Sequence, residues 1–179
     1  MRRATAQAFG PGRNPCSGCI SLTRFWSRPL AGGIPGAALF ACDWNAVRSP
    51  MAEGIAKQLL GTRVFVQSAG AAGELPLDPL AAEVCREIGV EIGAHATHTF
   101  DEMQEWGDDL TQFDLIVALS PAAQRRALEA TFGSHVEVEY WPTLDPTDLG
   151  ETRAQKLDAY RQARDQIRRR IMERFGLML

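Results

Sequence analysis

The amino-acid sequence predicts an α/β protein: a single three-layer domain in which a four-stranded parallel sheet is flanked by helices. Two observations lead to this prediction. From residue 37 onward, short apolar runs alternate with segments of helical periodicity. Two of these runs, over 37–42 (AALFAC) and 113–119 (FDLIVAL), are apolar along most of their length, as strands covered on both faces are. Such alternation also favours right-handed crossovers between parallel strands.

The first predicted strand, over 37–42, leads into a helix. Ser49-Pro50 marks the start of that helix, because Ser is a favoured N-cap and Pro a favoured first helical residue. The helix is predicted to end at Gly61, a residue type common at helix C-termini. The second strand is predicted over 63–68, where Val residues recur at alternate positions.

The rest of the chain repeats this pattern. Ser120-Pro121 again combines an N-cap residue with Pro and predicts a helix start. The other predicted elements are a helix over 79–89, a weakly patterned acidic segment over 100–110, strands over 113–119 and 135–140, a loop over 141–150 and a helix over 151–175. In parallel sheets of this kind, ligands bind beyond the carboxyl ends of the strands.

The domain is predicted to span residues 37–179, and residues 1–36 to form a disordered N-terminal extension. The extension is rich in Gly and Pro and carries five arginines without an acidic residue, whereas the whole chain has a net charge of −3. An Arg-rich transit peptide is the alternative, but the Gly and Pro content argues against an amphipathic helix. Charge and hydropathy indicate neither a nucleic-acid nor a membrane partner, and a cytoplasmic location is expected.

The cysteines outside the main motif suggest no cofactor or metal. Cys16 and Cys19 have the spacing of half a zinc site or of a redox pair, but no second pair follows. Cys85 falls on the apolar side of a predicted helix and is expected to be a small core residue. The pattern does not resemble the disulfide framework of a secreted protein.

The strongest functional signal is the segment CDWNAVRSP, which begins with Cys42. It places a cysteine at a strand end and Arg48 six residues later, directly before a helix. The five residues between them can curl round one tetrahedral anion, with backbone N–H groups forming a nest and the helix N-terminus adding positive potential. The predicted phosphate-binding residues are Asp43, Trp44, Asn45, Ala46, Val47, Arg48 and Ser49.

These residue types suit nucleophilic chemistry. A helix N-terminus and a nearby arginine favour the thiolate form of Cys42, which can attack phosphorus and form a cysteinyl-phosphate intermediate. Ser49 can donate a hydrogen bond to this thiolate, and Asn45 tolerates left-handed backbone and can lock the loop through its side chain. A buried structural cysteine is the alternative, but the strand end, helix start and parallel-sheet pattern together disfavour it.

Phosphoryl transfer also requires a general acid for the leaving oxygen. Asp145, before Pro146, follows the fourth predicted strand, whose end lies at the same edge of the sheet as Cys42. An ordinary Asp-Pro turn is the alternative interpretation. Asp148 is the nearest rival, and Asp78 is better explained as a helix N-cap. The predicted catalytic residues are Cys42, Arg48 and Asp145.

From residue 37 onward, the chain resembles the low-molecular-weight protein tyrosine phosphatase family. The residues that carry the resemblance are Cys42, Asn45, the run RSPMAE over 48–53, the run SAG over 68–70, and Asp145-Pro146. The resemblance implies a flavodoxin-like phosphatase topology, no metal, and hydrolysis of a phosphorylated protein, such as a phosphotyrosine protein, or of a small aryl phosphate. It also implies that Cys42 is the nucleophile, that Arg48 binds phosphate and that Asp145 is the general acid.

Several residues depart from the family pattern. Trp44 stands where the family usually has Gly, and Val47 where it often has a second Cys that protects the nucleophile from oxidation. Asp43 places a negative charge beside the anion site, and we expect it to face away. The family often has aromatic residues after Asp-Pro, whereas this chain has Thr147. Trp44 can replace them by stacking on an aromatic substrate.

Two other functions fit the same motif. Thioredoxin-coupled arsenate reductases share it, but their chemistry needs two further cysteines, around the end of the third strand and after it. Ser120 stands at that strand end and no cysteine follows Cys85, so only a reductase that uses an external thiol remains. The third alternative is a non-catalytic anion-binding or interaction module. His95 and His98 are expected to be loop or surface residues without a chemical role.

Overall fold

A computed structural model describes residues 33–177 of the chain. Cys16 and Cys19 lie outside the described residues, and the division into an extension (1–36) and a domain (37–179) stays a prediction. The strands are β1 (Ala37–Cys42), β2 (Phe65–Gly70), β3 (Leu115–Ala118) and β4 (Glu137–Tyr140). The α-helices are α1 (Arg48–Leu60), α2 (Pro79–Arg86), α3 (Phe100–Glu105), α4 (Pro121–Ala130) and α5 (Arg153–Arg174).

The four strands form one parallel sheet in the order β2-β1-β3-β4, which confirms the predicted fold class. In the register, Ala41 of β1 lies opposite Ala69 on one side and Ala118 on the other. The chain runs from β1 outward to β2 and then returns to the other side of β1 with β3. Cys42 therefore ends the strand at which the order reverses, where open α/β sheets bind their ligands.

Helices cover both faces of the sheet, which gives the three predicted layers. On one face α1, α2 and α5 pack against Phe40 and its neighbours, with Ile55 and Ile167 fully buried between them. On the other face α3 and α4 pack against Leu39 and the alternate residues of the strands. Full burial of an Ile-sized side chain contributes about 1.5–3 kcal/mol to folding. Cys85 lies fully buried in the first core, as predicted.

Local capping signals predict some of the helix starts and miss others. The Asp78 carboxylate accepts from the N–H of Leu80, and the Ser120 hydroxyl accepts from the N–H of Ala123, as N-caps do. The prediction that Ser49 caps α1 is wrong, because the helix begins at Arg48 and its N-cap residue makes no side-chain bond. Ser49 instead lies within the first turn.

The other boundaries shift by a few residues. A short 3₁₀ turn over Gly61–Arg63 delays β2 to residue 65. The acidic segment over 100–110 contains α3, which begins at a capping box formed by Thr99 and Glu102. Within the described part of the chain, no helix combines the length and the apolar character that crossing a bilayer requires.

Candidate active site

The loop over 43–47 connects the carboxyl end of β1 to α1, and the neighbouring segment over 71–78 fixes its backbone. Four loop carbonyls point outward to this segment and accept hydrogen bonds of 2.8 to 3.1 Å. The donors are the N–H groups of Ala71, Ala72, Leu75 and Asp78, and the acceptors are the carbonyls of Cys42, Asp43, Trp44 and Ala46. Because C=O and the next N–H point in opposite directions in a trans peptide, the N–H groups that follow these carbonyls face the interior of the loop.

Asn45 holds the loop closed from its centre. Its φ of 52° is left-handed, the backbone conformation that the sequence indicated Asn would tolerate. Its amide Nδ2 donates to the Ser49 hydroxyl at 3.0 Å and to the Ser68 hydroxyl at 2.9 Å. Its Oδ1 accepts from the backbone N–H of His98 at 3.0 Å and lies 3.2 Å from the Nε2 of His95. A buried Asn with these partners leaves the loop little freedom.

His95 supports the loop through a structural contact, and the expectation that it has no chemical role stays a prediction. It lies in a loop, as expected, but its side chain is only 10% exposed and Nδ1 is 3.5 Å from Glu53 Oε2. Burial lowers the pKa of His95, while the Glu53 carboxylate acts in the opposite direction. Because the amide oxygen Oδ1 of Asn45 can only accept, His95 Nε2 is the donor in this contact. The sequence held no signal for this contact, because 50 positions separate the two residues.

The Cys42 sulfur is buried at the end of β1 and lies 2.9 Å from the Ser49 hydroxyl. Asn45 already donates to the same hydroxyl oxygen, so the Ser49 proton is free to point at the sulfur. The Ser49 hydroxyl, the inward N–H groups and the N-terminus of α1 all direct hydrogen-bond donors or positive potential toward the sulfur. The structure thus brings together the nucleophile and the donor that the sequence predicted.

Arg48 lies in the first turn of α1 and is buried. Its Nη1 donates to the carbonyls of Leu119 at 3.3 Å and Thr143 at 3.2 Å, which fixes the plane of the guanidinium. Its Nη2 lies 2.7 Å from Asp145 Oδ2. The loop after β4 therefore carries Asp145 to the anion loop, as a general acid requires.

The prediction that Asp43 faces away is wrong. Its Oδ2 lies 2.6 Å from Arg48 Nη2, and its Oδ1 accepts from the Ser120 hydroxyl at 2.9 Å. Two such bonds, one of them charge-assisted, outweigh the advantage of full solvation. The negative charge of Asp43 is therefore paired with the arginine.

The remaining predicted residues take different positions. Trp44 is 47% exposed at the rim of the loop, and its ring lies over Gly73, where a Cβ would come within 3.1 Å of the indole.

Both carboxylate oxygens of Asp78 have structural partners: Oδ2 accepts from the Tyr160 hydroxyl at 2.6 Å, and Oδ1 caps α2. Ala46 and Val47 are buried. Among residues 33–177, no three His, Cys, Asp or Glu side chains cluster as a metal site would need.

Fold and site together resemble one class of protein: α/β enzymes in which a cysteine at a strand end stands in a loop suited to hold a tetrahedral oxyanion. Comparison with known proteins agrees. The model of the low molecular weight phosphotyrosine protein phosphatase family matches residues 37–175, and the chain belongs to that family. The predicted resemblance is thereby confirmed.

Individual relatives include enzymes with two different activities. An arsenate reductase of Bacillus subtilis (strain 168) is 34% identical over 135 residues, which cover 75% of this chain and 91% of the relative. A solved arsenate reductase in its phosphate-binding state has a TM-score of 0.63 at 22% identity and covers 80% of this chain and 98% of its own. A tyrosine phosphatase of Erwinia amylovora has a TM-score of 0.59 at 18% identity, with coverages of 82% and 94%. The two structures share the fold, and the family places this chain among cysteine-based phosphatases and arsenate reductases.

Proposed function

We propose that the protein hydrolyses phosphate monoesters through a cysteinyl-phosphate intermediate, with phosphotyrosine in proteins or small aryl phosphates as substrates. One observation carries the proposal: the buried Cys42 sulfur lies 2.9 Å from the Ser49 hydroxyl, within a loop whose N–H groups face inward. This arrangement suits a thiolate that receives a phosphoryl group and later leaves it. Arg48 and Asp145 supply charge stabilisation and a proton at the same loop.

In the first step, the Cys42 thiolate attacks phosphorus in line with the leaving oxygen. The S–P bond forms, the P–O bond to the leaving group breaks, and Asp145 in its acid form gives its proton to the departing oxygen. The loop N–H groups and Arg48 stabilise the charge on the three equatorial phosphoryl oxygens.

In the second step, water attacks the cysteinyl phosphate. The Asp145 carboxylate takes a proton from this water, the S–P bond breaks, and inorganic phosphate forms. The sulfur leaves as a thiolate, and the hydrogen bond from Ser49 stabilises it. Asp145 therefore returns to its acid form, and the cycle consumes only water and the ester.

The exposed Trp44 supports an aryl substrate. Its ring is 47% exposed within the loop that follows Cys42 and lies against Gly73. Leu144, also exposed, precedes Asp145 and adds apolar surface near the same loop. An aromatic leaving group can stack on an indole, for a gain of about 0.5–1.5 kcal/mol beyond area burial.

Arsenate reduction is the second candidate, and the names of the curated relatives favour it. Reduction of arsenate to arsenite needs two electrons, hence two thiols that become a disulfide. Within residues 33–177 the second cysteine is Cys85, which is fully buried, and burial raises its pKa to about 12. Ser120, the N-cap of α4, stands two residues beyond the end of β3, where the sequence would need a further cysteine. A reductase activity of this chain would accordingly use an external thiol such as a small cellular dithiol or glutathione.

Turnover of 4-nitrophenyl phosphate tests the proposal. We expect hydrolysis in the wild-type protein, none in Cys42→Ser and near wild-type rates in the control Cys85→Ser. Hydrolysis that survives in Cys42→Ser would refute the proposal. Arsenate-dependent oxidation of added thiol without phosphatase turnover would instead establish the reductase. Binding of phosphate or vanadate without either reaction would indicate a non-catalytic anion-binding module.

A further inference from the structure

The donors of Arg48 are almost all in use. A guanidinium has five N–H donors. Its two Nη1 donors reach the carbonyls of Leu119 and Thr143, and Nη2 lies within 2.7 Å of carboxylate oxygens of both Asp43 and Asp145. Among the contacts made within residues 33–177, only the Nε donor remains free. Because a bidentate grip on phosphate takes two parallel N–H groups, one of the two carboxylates has to release Nη2 when an anion binds.

The two carboxylates on Nη2 are held very differently. The Asp43 side chain is 25% exposed, belongs to the short loop after β1 and accepts a further bond from the Ser120 hydroxyl. The Asp145 side chain is 45% exposed, and its other oxygen bonds only within its own turn, to Thr147. Asp145 must also move to reach the leaving oxygen. We therefore expect an anion to displace Asp145 and to leave Asp43 in place.

Ser120 gives this contact a rigid support. It is buried at the junction of β3 and α4, and its hydroxyl accepts from the N–H of Ala123 as the N-cap of α4. With that lone pair occupied, the hydroxyl proton points to Asp43 Oδ1. A continuous chain of bonds thus runs from α4 through Ser120 and Asp43 to Arg48, across 77 positions of sequence.

We propose that Asp43 is a positioning residue for the phosphate-binding arginine. The Ser120 hydroxyl holds the Asp43 carboxylate, and Asp43 in turn holds one Nη2 donor of Arg48. The Nε donor and the Nη2 donor released by Asp145 then both face the anion. The turnover measurements below rest on the proposed function. The measurements of phosphate binding do not, because phosphate affinity depends on the position of Arg48 whether or not the protein is a phosphatase. The alternative is that Asp43 merely opposes anions by its charge, in which case removing it would strengthen phosphate binding.

Ser120→Ala distinguishes a positioning role of Asp43 from an effect of its charge, because the variant removes the hydroxyl that holds Asp43 and leaves every charge in place. We expect calorimetry to show about tenfold weaker binding of inorganic phosphate, with a similar fall in kcat/KM for 4-nitrophenyl phosphate. Ser120→Thr keeps a hydroxyl and should restore both values to within about twofold. Thr152→Ala, which removes the exposed N-cap of α5, is the matched control for lost capping and should change neither value.

The Asp43→Ala background completes the test. Asp43→Ala should weaken phosphate binding by about tenfold or more, and adding Ser120→Ala should cause no further loss. Tighter phosphate binding in Asp43→Ala, unchanged binding in Ser120→Ala, or equal losses from Ser120→Ala with and without Asp43 would each overturn the inference. If Ser120→Ala does not fold, the direction of the change in phosphate affinity in Asp43→Ala still distinguishes a positioning role from charge repulsion. If the wild-type protein shows no turnover, the proposed function fails, while the phosphate-binding measurements still test Asp43.

Discussion

The Ser49 hydroxyl oxygen lies 2.9 Å from the Cys42 sulfur, although Ser49 sits in the first turn of α1 rather than at its cap. This relationship predicts a specific kinetic defect. In Ser49→Ala the thiolate leaves the phosphoenzyme without its donor, so breakdown of the intermediate should slow by about a hundredfold. We expect a burst of nitrophenol close to one equivalent in rapid-mixing experiments, and phosphorylated Cys42 in the mass spectrum. Linear product release without a burst would contradict this role.

The loss of activity on replacing Asp145 should depend on the leaving group of the substrate. Asp145→Asn cannot donate a proton, so hydrolysis of phenyl phosphate should fall by about a hundredfold or more. 4-Nitrophenyl phosphate has a better leaving group and should be affected much less. Steady-state kcat/KM values for a series of substituted phenyl phosphates measure this dependence, because kcat/KM reports the steps up to release of the leaving group and excludes the later attack of water. Asp148→Asn serves as the control, and an equal slowing of all substrates in Asp145→Asn would assign the proton transfer to another residue.

His95 predicts a pH dependence of stability. Burial lowers its pKa, against the pull of Glu53 and with the help of His98 and Lys57. The unfolded chain therefore binds a proton at this residue at a higher pH than the folded protein does. The stability that His95 contributes is complete above its unfolded pKa of about 6.5 and is lost as the pH falls through the lower folded value.

Thermal unfolding of His95→Gln measures this contribution. The variant removes the titrating ring, so its Tm should fall less between pH 7.5 and pH 5 than the wild-type Tm does. His135→Gln is the matched control, because His135 is an exposed residue just before β4. Parallel Tm profiles in wild type and His95→Gln would show that His95 does not titrate in this range.

The sequence predicted the features that depend on near neighbours. Asp78 and Ser120 cap their helices because each side chain accepts from an N–H two or three residues ahead, which a local pattern can reveal. The same rule failed at Ser49, whose hydroxyl is engaged by Asn45 and Cys42 instead.

Long-range contacts account for the errors at the site. The orientation of Asp43 is set by Ser120, and that of Asn45 partly by His95, at separations of 77 and 50 residues. A motif read along the chain identifies the residue types that hold an anion. It does not contain the partners that another strand or loop brings to them, so the inward position of Asp43 required the folded structure.

The Cys85 thiol should not react with alkylating reagents in the folded protein. Burial raises the pKa of its thiol to about 12, so almost no thiolate exists at pH 8.5 and no reagent reaches it. Iodoacetamide at that pH should label Cys42 and leave Cys85 unmodified, and inorganic phosphate should protect Cys42. Peptide mass spectrometry gives the extent at each site. If Cys85 is labelled as fast in the folded protein as in protein unfolded by guanidinium, the thiol is accessible. Cys85 would then again be a candidate for the second thiol in arsenate reduction.

Trp44 should determine the preference for aryl over alkyl phosphates. Its exposed ring lies on Gly73 at the rim of the anion loop, so stacking is available to an aromatic leaving group but not to a simple alkyl one. Trp44→Ala should raise KM for phosphotyrosine by about three- to tenfold, in line with the loss of one aromatic pair, and leave KM for phosphoserine unchanged. Trp106→Ala is the matched control, because Trp106 is 65% exposed and its ring lies at 55° to that of His98, outside the loop. If both KM values rise together in Trp44→Ala, the indole supports the shape of the loop and does not select the substrate.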